Sequence, residues 1–167
     1  MTPLGLLEAL KSYCEECTRD LVMVSRVPEN GIQKAERPPR VFIGELPDKE
    51  SARKEAPYIL LKLLTTKDDE EESTAVVRII FVTYSQDRQE NYIQCLNTLT
   101  RVKTKLLEDV VIGNCFSCRK PVEGIIYEDD LEVYQIGEIM TTWEMPQVKR
   151  NINQHTGERQ EDGIWDW

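Results

Sequence analysis

Two short cysteine pairs are the residues whose type and spacing most directly suggest chemistry. Cys14 and Cys17 form one CxxC pair, and Cys115 and Cys118 form a second pair much later in the chain. Four thiolates can hold a zinc ion tetrahedrally, usually with each pair in a tight knuckle that turns backbone amides toward the sulfur atoms. Whether these pairs can do so depends on the elements that carry them.

The first pair lies in a segment, residues 2–22, that is predicted to be an amphipathic helix. Thr2 is a suitable N-cap, and Pro3 suits the first helical position. Apolar residues then recur at alternating steps of three and four, which places them on one face. This stripe consists of Leu7, Leu10, Cys14, Cys17, Leu21 and Val24.

The pattern favours packed thiols over a metal site. A reduced cysteine on an apolar stripe behaves as a small apolar side chain. If the second pair lies in a strand, Cys118 shares a face with Phe116 and Cys115 points to the opposite face. Tetrahedral zinc held by the four cysteines remains the alternative, because pairs distant in sequence can meet in space.

Other catalytic arrangements find little support in the sequence. The chain has one histidine, His155, in a polar C-terminal stretch, so a Cys–His or Ser–His arrangement has no rigid scaffold. The eight glycines occur singly and form no phosphate-binding loop. We therefore expect no enzymatic activity and no cofactor. A small-molecule enzyme is the least supported alternative.

The composition restricts the partners that the chain can have. Thirty acidic and 21 basic residues give the 167-residue chain a net charge of −9, which argues against direct binding of nucleic acid. Its apolar runs are too short to span a membrane. With an odd number of cysteines and a start that does not resemble a signal peptide, reduced thiols in a cytoplasm are expected.

Two β-branched segments, residues 57–64 and 74–85, are predicted to be central strands covered on one side by helices. Five consecutive acids lie between them, which predicts a solvated hairpin loop. These acids are Asp68, Asp69, Glu70, Glu71 and Glu72. A calcium loop is the alternative, but the run lacks the spaced ligands and the glycine of such loops.

A second amphipathic helix is predicted from about Gln89 to Glu108. Its apolar stripe contains Tyr92, Cys95, Leu96, Leu99, Val102 and Leu106. Extended segments follow Gly113, and the last of them covers residues 134–148. Trp143 in this last strand is expected to pack in the core, with an interface anchor as the alternative.

A single domain is predicted for residues 1–148, with a long arm over residues 25–56 and a flexible polar tail over 149–167. The arm contains one apolar piece, "RVFIGEL", that is predicted to be an edge strand. Trp165 and Trp167 end the tail, where docking onto a neighbouring surface and disorder are equally expected. The arm and the tail end are hypothesised to become ordered on assembly.

Three segments together resemble the tail terminator (tail completion) proteins of long-tailed bacteriophages and prophages. They are "APYILLKLL…ESTAVVRIIFVTYSQD" at 56–87, "ENYIQCLNTLTRVKTKLLE" at 90–108 and "GEIMTTWEMPQV" at 137–148. The piece "RVFIGELPDKES" is similar to the family's segment before the first central strand. The "CFSC" segment and the polar tail depart from the family pattern.

The resemblance implies an α+β fold, a two-layer sandwich with two amphipathic helices packed on one face of a mainly antiparallel β-sheet. It further implies a homo-oligomeric ring, commonly a hexamer, that caps the head-proximal end of the tail tube. Such a ring ends tail polymerisation and offers a surface to a head completion protein. The protein is then expected in the virion, and in the bacterial cytoplasm during assembly.

DNA would pass through the bore of such a ring without specific binding. Acidic residues facing the bore would repel it, and Asp68–Glu72 are one candidate lining, with an outward solvated loop as the alternative. Another head–tail connector protein is the nearest alternative function. A zinc-stabilised binding module of a cellular pathway is the alternative from a different class.

Overall fold

The computed structural model describes residues 2–25, 35–46, 52–128 and 132–149, which contain two α-helices and eight β-strands. A short 3₁₀-helix, Ala52–Glu55, lies between the third and fourth strands. In chain order the elements are α1 (Pro3–Thr18), β1 (Met23–Ser25), β2 (Ala35–Arg37), β3 (Arg40–Ile43), β4 (Tyr58–Asp68), β5 (Ser73–Tyr84), α2 (Arg88–Asp109), β6 (Val111–Ile112), β7 (Phe116–Ile126) and β8 (Tyr134–Met145).

Six of these strands form one sheet in the order β3-β4-β5-β8-β7-β6. Every neighbouring pair is antiparallel except β3 and β4, which run parallel. The strands β1 and β2 pair separately as a small antiparallel ribbon. The α+β class and the mainly antiparallel sheet are therefore confirmed, and β3 is the predicted edge strand.

Both helices begin at side-chain caps, and the cap of α1 is the predicted one. The Thr2 hydroxyl accepts a hydrogen bond from the Gly5 N–H at 3.2 Å, with Pro3 directly after the cap. The Asp87 carboxylate accepts from the N–H groups of Gln89 and Glu90 at 2.9 and 3.2 Å. These bonds satisfy amides that have no carbonyl partner within the helix.

The main core lies between the two helices and one face of the sheet. At its centre the Trp143 side chain is fully buried, as expected for the last strand. Its indole N–H donates to the Thr141 hydroxyl at 2.8 Å, and that hydroxyl donates to the Val77 carbonyl at 2.9 Å. The other large apolar side chains that are fully buried are Leu6, Leu10, Ile59, Leu61, Val77, Ile79, Phe81, Val102, Leu106 and Ile139.

The opposite face of the sheet carries no helix in the described part of the chain. A second, smaller apolar cluster covers one end of it, made of Ala56, Tyr58, Leu60, Val82 and Tyr134. The central strands therefore carry buried apolar residues on both faces, those of the main core on one face and those of this cluster on the other.

The first helix is shorter than its apolar pattern predicts. It ends at Thr18 rather than at residue 22, because the Thr18 hydroxyl bonds the Cys14 carbonyl and the Thr18 carbonyl accepts the Leu21 N–H in a turn. Val24 lies in β1, where its N–H donates to the Gln94 side chain at 3.1 Å. The predicted stripe was therefore wrong beyond Cys17.

The buried stripe of α2 also differs from the prediction. Tyr92 is 48% and Leu96 39% exposed, whereas Asn91 is buried in their place. The Asn91 side chain accepts from the Thr83 hydroxyl at 2.7 Å and donates to the Val133 carbonyl at 2.8 Å. A polar residue can be buried at this position because both of its polar ends are hydrogen-bonded.

No helix within the described ranges is both long enough and apolar enough to cross a membrane.

Candidate functional site

The acidic run forms a tighter hairpin than the sequence predicts. β4 continues to Asp68 and β5 begins at Ser73, so the connection contains only residues 69–72. The Asp69 carboxylate accepts from the N–H groups of Glu71 and Glu72 at 2.9 and 2.8 Å. The predicted hairpin is therefore present, but its loop is shorter than the link between the two predicted strands, because β4 continues through residues 65–68.

Three of the five acids are engaged within the hairpin or with the neighbouring strands. Asp68 accepts from the Ser73 hydroxyl at 2.5 Å, and Asp69 pairs with Lys67 at 2.9 Å. Glu72 pairs with Arg119 of β7 at 2.6 Å.

The hydrogen bonds to the hairpin acids change their acidity. The hydrogen bond from Lys67, together with the two backbone amides, lowers the pKa of Asp69 to about 2. The hydrogen bond from Arg119 lowers the pKa of Glu72 below its usual value. These carboxylates are therefore charged at neutral pH, but their charge is compensated locally.

Glu70 and Glu71 are the acids of the run that stay available to a partner. Both side chains are exposed at the tip of the turn, and neither forms an ion pair with another described residue. The candidate lining of a ring bore is therefore reduced from five residues to these two. A groove of about 640 Å³ lies beside the turn, between its acids and residues 147–149.

A second polar groove, of about 600 Å³, lies between the end of α1 and α2. The Tyr13 hydroxyl donates to Asp109 at 2.6 Å across it, and Arg101 pairs with Asp20 at the same distance. The lining contains Tyr13, Glu16, Cys17, Arg19, Asp20, Arg101, Lys105 and Asp109. With three acids and three bases, the groove joins the two helices and has no surplus charge for a ligand.

The four cysteines of the two CxxC pairs lie on three elements around the main core. Cys14 and Cys17 are on α1, Cys115 precedes β7 in a turn, and Cys118 is on β7. Cys14 is fully buried in the core, and the other three pack against its margin. The structure thus places the first pair on a helix, as predicted.

The protonation of the thiols agrees with this packed arrangement. Burial raises the pKa of Cys14 and of Cys17 above the usual value, and it raises the pKa of Cys118 to about 11. The same cause raises the pKa of Cys95, a fifth thiol on α2, to about 12. At neutral pH these groups are neutral thiols, which are poor nucleophiles. Among the described residues, which include all five cysteines, no group of three or more potential ligands is arranged to hold a metal ion.

One surface that the sequence did not indicate is the outer flank of α2. Tyr92, Ile93 and Leu96 are 48%, 46% and 39% exposed and lie within one helical turn. The adjacent apolar residues Tyr92 and Ile93 could have indicated this exposed surface, because the buried stripe of a helix holds only one of two residues that are neighbours in sequence. We call these three residues the α2 flank.

The remaining predicted site residues, Trp165 and Trp167, lie outside the described residues. The hypothesis that the tail docks on a neighbouring surface concerns the same undescribed part of the chain.

Comparisons with known proteins do not assign this chain to a family. No family model matches the chain, and no curated protein matches it either. One protein of known structure is 12% identical to the chain, with 88% of this chain and 94% of the other covered and a TM-score of 0.44. A likeness at this level carries no conclusion about function.

Proposed function

We propose that this chain is a structural subunit that assembles with copies of itself into a ring and closes the head-proximal end of a phage tail tube. The observation that carries the proposal is the α2 flank, where Tyr92, Ile93 and Leu96 expose apolar surface together. Contiguous exposed apolar side chains are typical of contact surfaces between proteins. A function performed by docking needs such a surface.

The kind of assembly is inferred from the resemblance to tail terminators. The three segments that carry the resemblance fold into one packed unit, because 56–87 contains the β4–β5 hairpin, 90–108 lies in α2 and 137–148 lies mostly in β8. β8 pairs with β5 along its whole length, and α2 packs across both strands. The sequence likeness therefore follows a physical unit rather than scattered pieces.

Capping a tube is a problem of surface complementarity. Each subunit contacts the next one head to tail, so that the rotation closes into a ring. One face of the ring matches the tube end, and the other face offers a new surface to a head completion protein. Tube protein that reaches the covered end then finds no complementary partner, and polymerisation stops.

The charge of the chain is compatible with DNA passing through such a ring. Each copy has a net charge of −9, and Glu70 and Glu71 are exposed acids without an ion-pair partner in the described part of the chain. Carboxylates that face a bore would repel the DNA backbone and prevent it from adhering. Virion location, in the neck of the tail, follows from the same proposal.

The test mixes the purified chain with assembled tail tubes and with free tail-tube protein that can extend them. We expect the chain to bind one end of each tube in electron micrographs, as a ring, and to stop further growth from that end. A variant with Tyr92→Ser and Leu96→Ser should fold and lose ring formation, whereas Leu107→Ser, on the distal part of the same helix, should assemble normally. Binding to the head vertex instead of the tube end would assign the chain to the head-side connectors.

A further inference from the structure

The six-stranded sheet has two open edge segments on opposite sides. On one side β3 pairs with β4 only at residues 58–61, so residues 62–68 of β4 have no outer partner among the described residues. On the other side β6 pairs with β7 only at residues 116–117, which leaves residues 120–126 without an outer partner in the same ranges. We call these segments the β4 edge and the β7 edge.

The β7 edge presents to its outer side backbone groups that have no partner strand among the described residues. The Tyr127 N–H donates to the Ile136 carbonyl of β8, which fixes the alternation of the antiparallel ladder at this end of β7. By that alternation the N–H and C=O groups of Gly124 and Ile126 point away from β8. Gly124 and Ile126 therefore supply two outward N–H donors, and Pro121 in the same segment has no N–H to donate.

The β4 edge presents backbone groups in the same way. The Asp69 N–H donates to the Glu72 carbonyl at the hairpin turn, and Thr66 lies opposite Ala75 three positions before it. The alternation then directs the N–H and C=O groups of Thr66 and Asp68 away from β5. Both open edges therefore carry the donors and acceptors that an added strand requires.

The strand directions make the two edges compatible with each other. β5, β8 and β7 follow β4 in the sheet, and each neighbouring pair is antiparallel, so β7 runs antiparallel to β4. If the sheet of one copy continues into the sheet of the next in the same orientation, the β4 edge arrives antiparallel to the β7 edge.

The charges at the ends of the edges favour the same direction. Lys62 lies at the start of the β4 edge, and Glu70 and Glu71 follow its end; Lys120 begins the β7 edge, and Glu128 follows its end. Antiparallel pairing places Lys62 near Glu128 of the next copy and Glu71 near Lys120, so that in the assembled ring Glu70 is the turn acid that stays available to the bore. Parallel pairing would place like charges together.

The α2 flank lies on the side of α2 that faces β7. A Cβ added to Gly124 would lie 3.1 Å from Leu99 and 3.8 Å from Lys103, which places this side of α2 directly above β7. Tyr92 and Leu96 continue the same helical row at steps of four and three. A strand added to β7 would therefore be covered on its helix side by apolar surface that is now exposed.

We propose that the β4 edge of one copy adds as an antiparallel strand to the β7 edge of the next, under the α2 flank, so that one sheet continues around the ring. This inference rests on the proposed function, because the closure of the assembly into a ring is taken from it. The contact uses two different surfaces of the subunit, which is the condition for a ring rather than a two-fold dimer.

The first test removes one outward N–H without disturbing the subunit. Thr66→Pro deletes a donor that the β5 ladder does not use, and proline is tolerated at such edge positions. Thr66→Val retains the N–H and serves as the matched control. We expect the proline variant to need at least about tenfold more protein for half assembly, measured by sedimentation, and the valine variant to behave as wild type. Equal assembly of both variants overturns the proposal.

The second test exchanges charges across the contact. Lys120→Glu and Glu71→Lys should each weaken ring formation several-fold, and the double variant should restore it because the pair is re-formed between neighbouring copies. If both single variants assemble poorly and the double variant does not recover, the antiparallel register is contradicted. Circular dichroism of each variant shows whether the subunit itself is folded.

Hydrogen exchange separates this inference from the proposed function. The amides of Thr66 and Ile126 should exchange rapidly in the monomer and become protected in the ring. Protection already present in the monomer shows that the chain covers its own edges, and it overturns the inference while tube capping can still stand. Rings that form through these edges but bind no tube end would instead leave the inference intact and remove the proposed function. A wild-type chain that never self-associates, with or without tubes, overturns both.

Discussion

Arg78 on β5 and Glu138 on β8 form an ion pair at the centre of the sheet face that carries no helix in the described part of the chain. The Tyr127 hydroxyl donates to the same carboxylate oxygen of Glu138 at 2.7 Å. The Glu138 side chain is only 5% exposed, whereas that of Arg78 is 33% exposed. A carboxylate this well buried is stable in its charged form only because two donors compensate it.

Glu138→Gln is expected to destabilise the fold by about 2–3 kcal/mol, because it leaves the Arg78 charge partly buried without its partner. The double variant Arg78→Met with Glu138→Met should cost less than the single one, since both charges leave together. Tyr127→Phe, which removes one donor, should cost about 1 kcal/mol. Urea unfolding monitored by circular dichroism measures all three, and a double variant that is less stable than Glu138→Gln would contradict this interpretation.

The same ion pair makes part of the stability depend on pH. Burial of Glu138 acts to raise its pKa, but the hydrogen bonds from Arg78 and Tyr127 and the Arg78 charge outweigh this and lower the pKa below 4.5. A lowered pKa in the folded state contributes stability above the unfolded value and loses it as pH falls through the folded value. The stability difference between wild type and Glu138→Gln should therefore be constant from pH 7 to about 5 and shrink below about pH 4.5. A difference that does not change with pH would contradict the lowered pKa.

Thr141→Val tests the buried hydrogen bonds around Trp143. The hydroxyl of Thr141 both accepts from the Trp143 indole and donates to the Val77 carbonyl, so valine leaves the buried indole N–H without this acceptor and removes a second hydrogen bond to a carbonyl of the β5–β8 ladder. We expect a loss of about 1–3 kcal/mol in the free energy of unfolding. Thr141→Ser keeps the hydroxyl and should cost clearly less. Equal losses for valine and serine would mean that the methyl group, not the hydroxyl, matters.

Gly137→Ala tests how closely α2 approaches the sheet. An added Cβ would lie 3.0 Å from both the Cys95 sulfur and a Leu99 methyl, so we expect a destabilisation of about 1–3 kcal/mol by overpacking. Cys95→Ala in the same chain should recover part of this loss by making room. Gly5→Ala in α1 is the control, because its nearest neighbour would be 3.7 Å away and alanine should be neutral or stabilising there. The melting temperatures of the wild type and of these three variants measure the expected changes in stability.

Asp69 should titrate with a pKa of about 2, because Lys67 and the amides of Glu71 and Glu72 bond its charged form. The carboxyl carbon shift in an NMR titration measures this value directly. Lys67→Met should move the pKa upward, toward the usual range of aspartate, and Lys62→Met should leave it unchanged as the control. An Asp69 that titrates near pH 4 in the wild-type chain would show that the turn is not held by this carboxylate.

Local structure could be predicted from the sequence because it depends on neighbouring residues. The cap Thr2 and the alternating steps of three and four between apolar residues define α1 and α2, apart from the turn at Thr18 that ends α1 early and the Asp87 cap of α2, which was not predicted. The β-branched runs define β4 and β5, and an antiparallel hairpin follows from the short polar link between them. The likeness to tail terminators also rests on the sequence alone, and the ring remains a prediction from it.

The tertiary structure alone decided which side chains are covered and which stay available. Tyr92 has the spacing of a buried residue, yet Asn91 takes the buried position because Thr83 and Val133 bond both of its polar ends. The ion pair of Arg78 and Glu138, sixty positions apart, likewise depends on the pairing of β5 with β8. Periodicity gives the faces of an element, but which face another strand or helix covers is set by pairing between distant parts of the chain, and no local pattern contains that information.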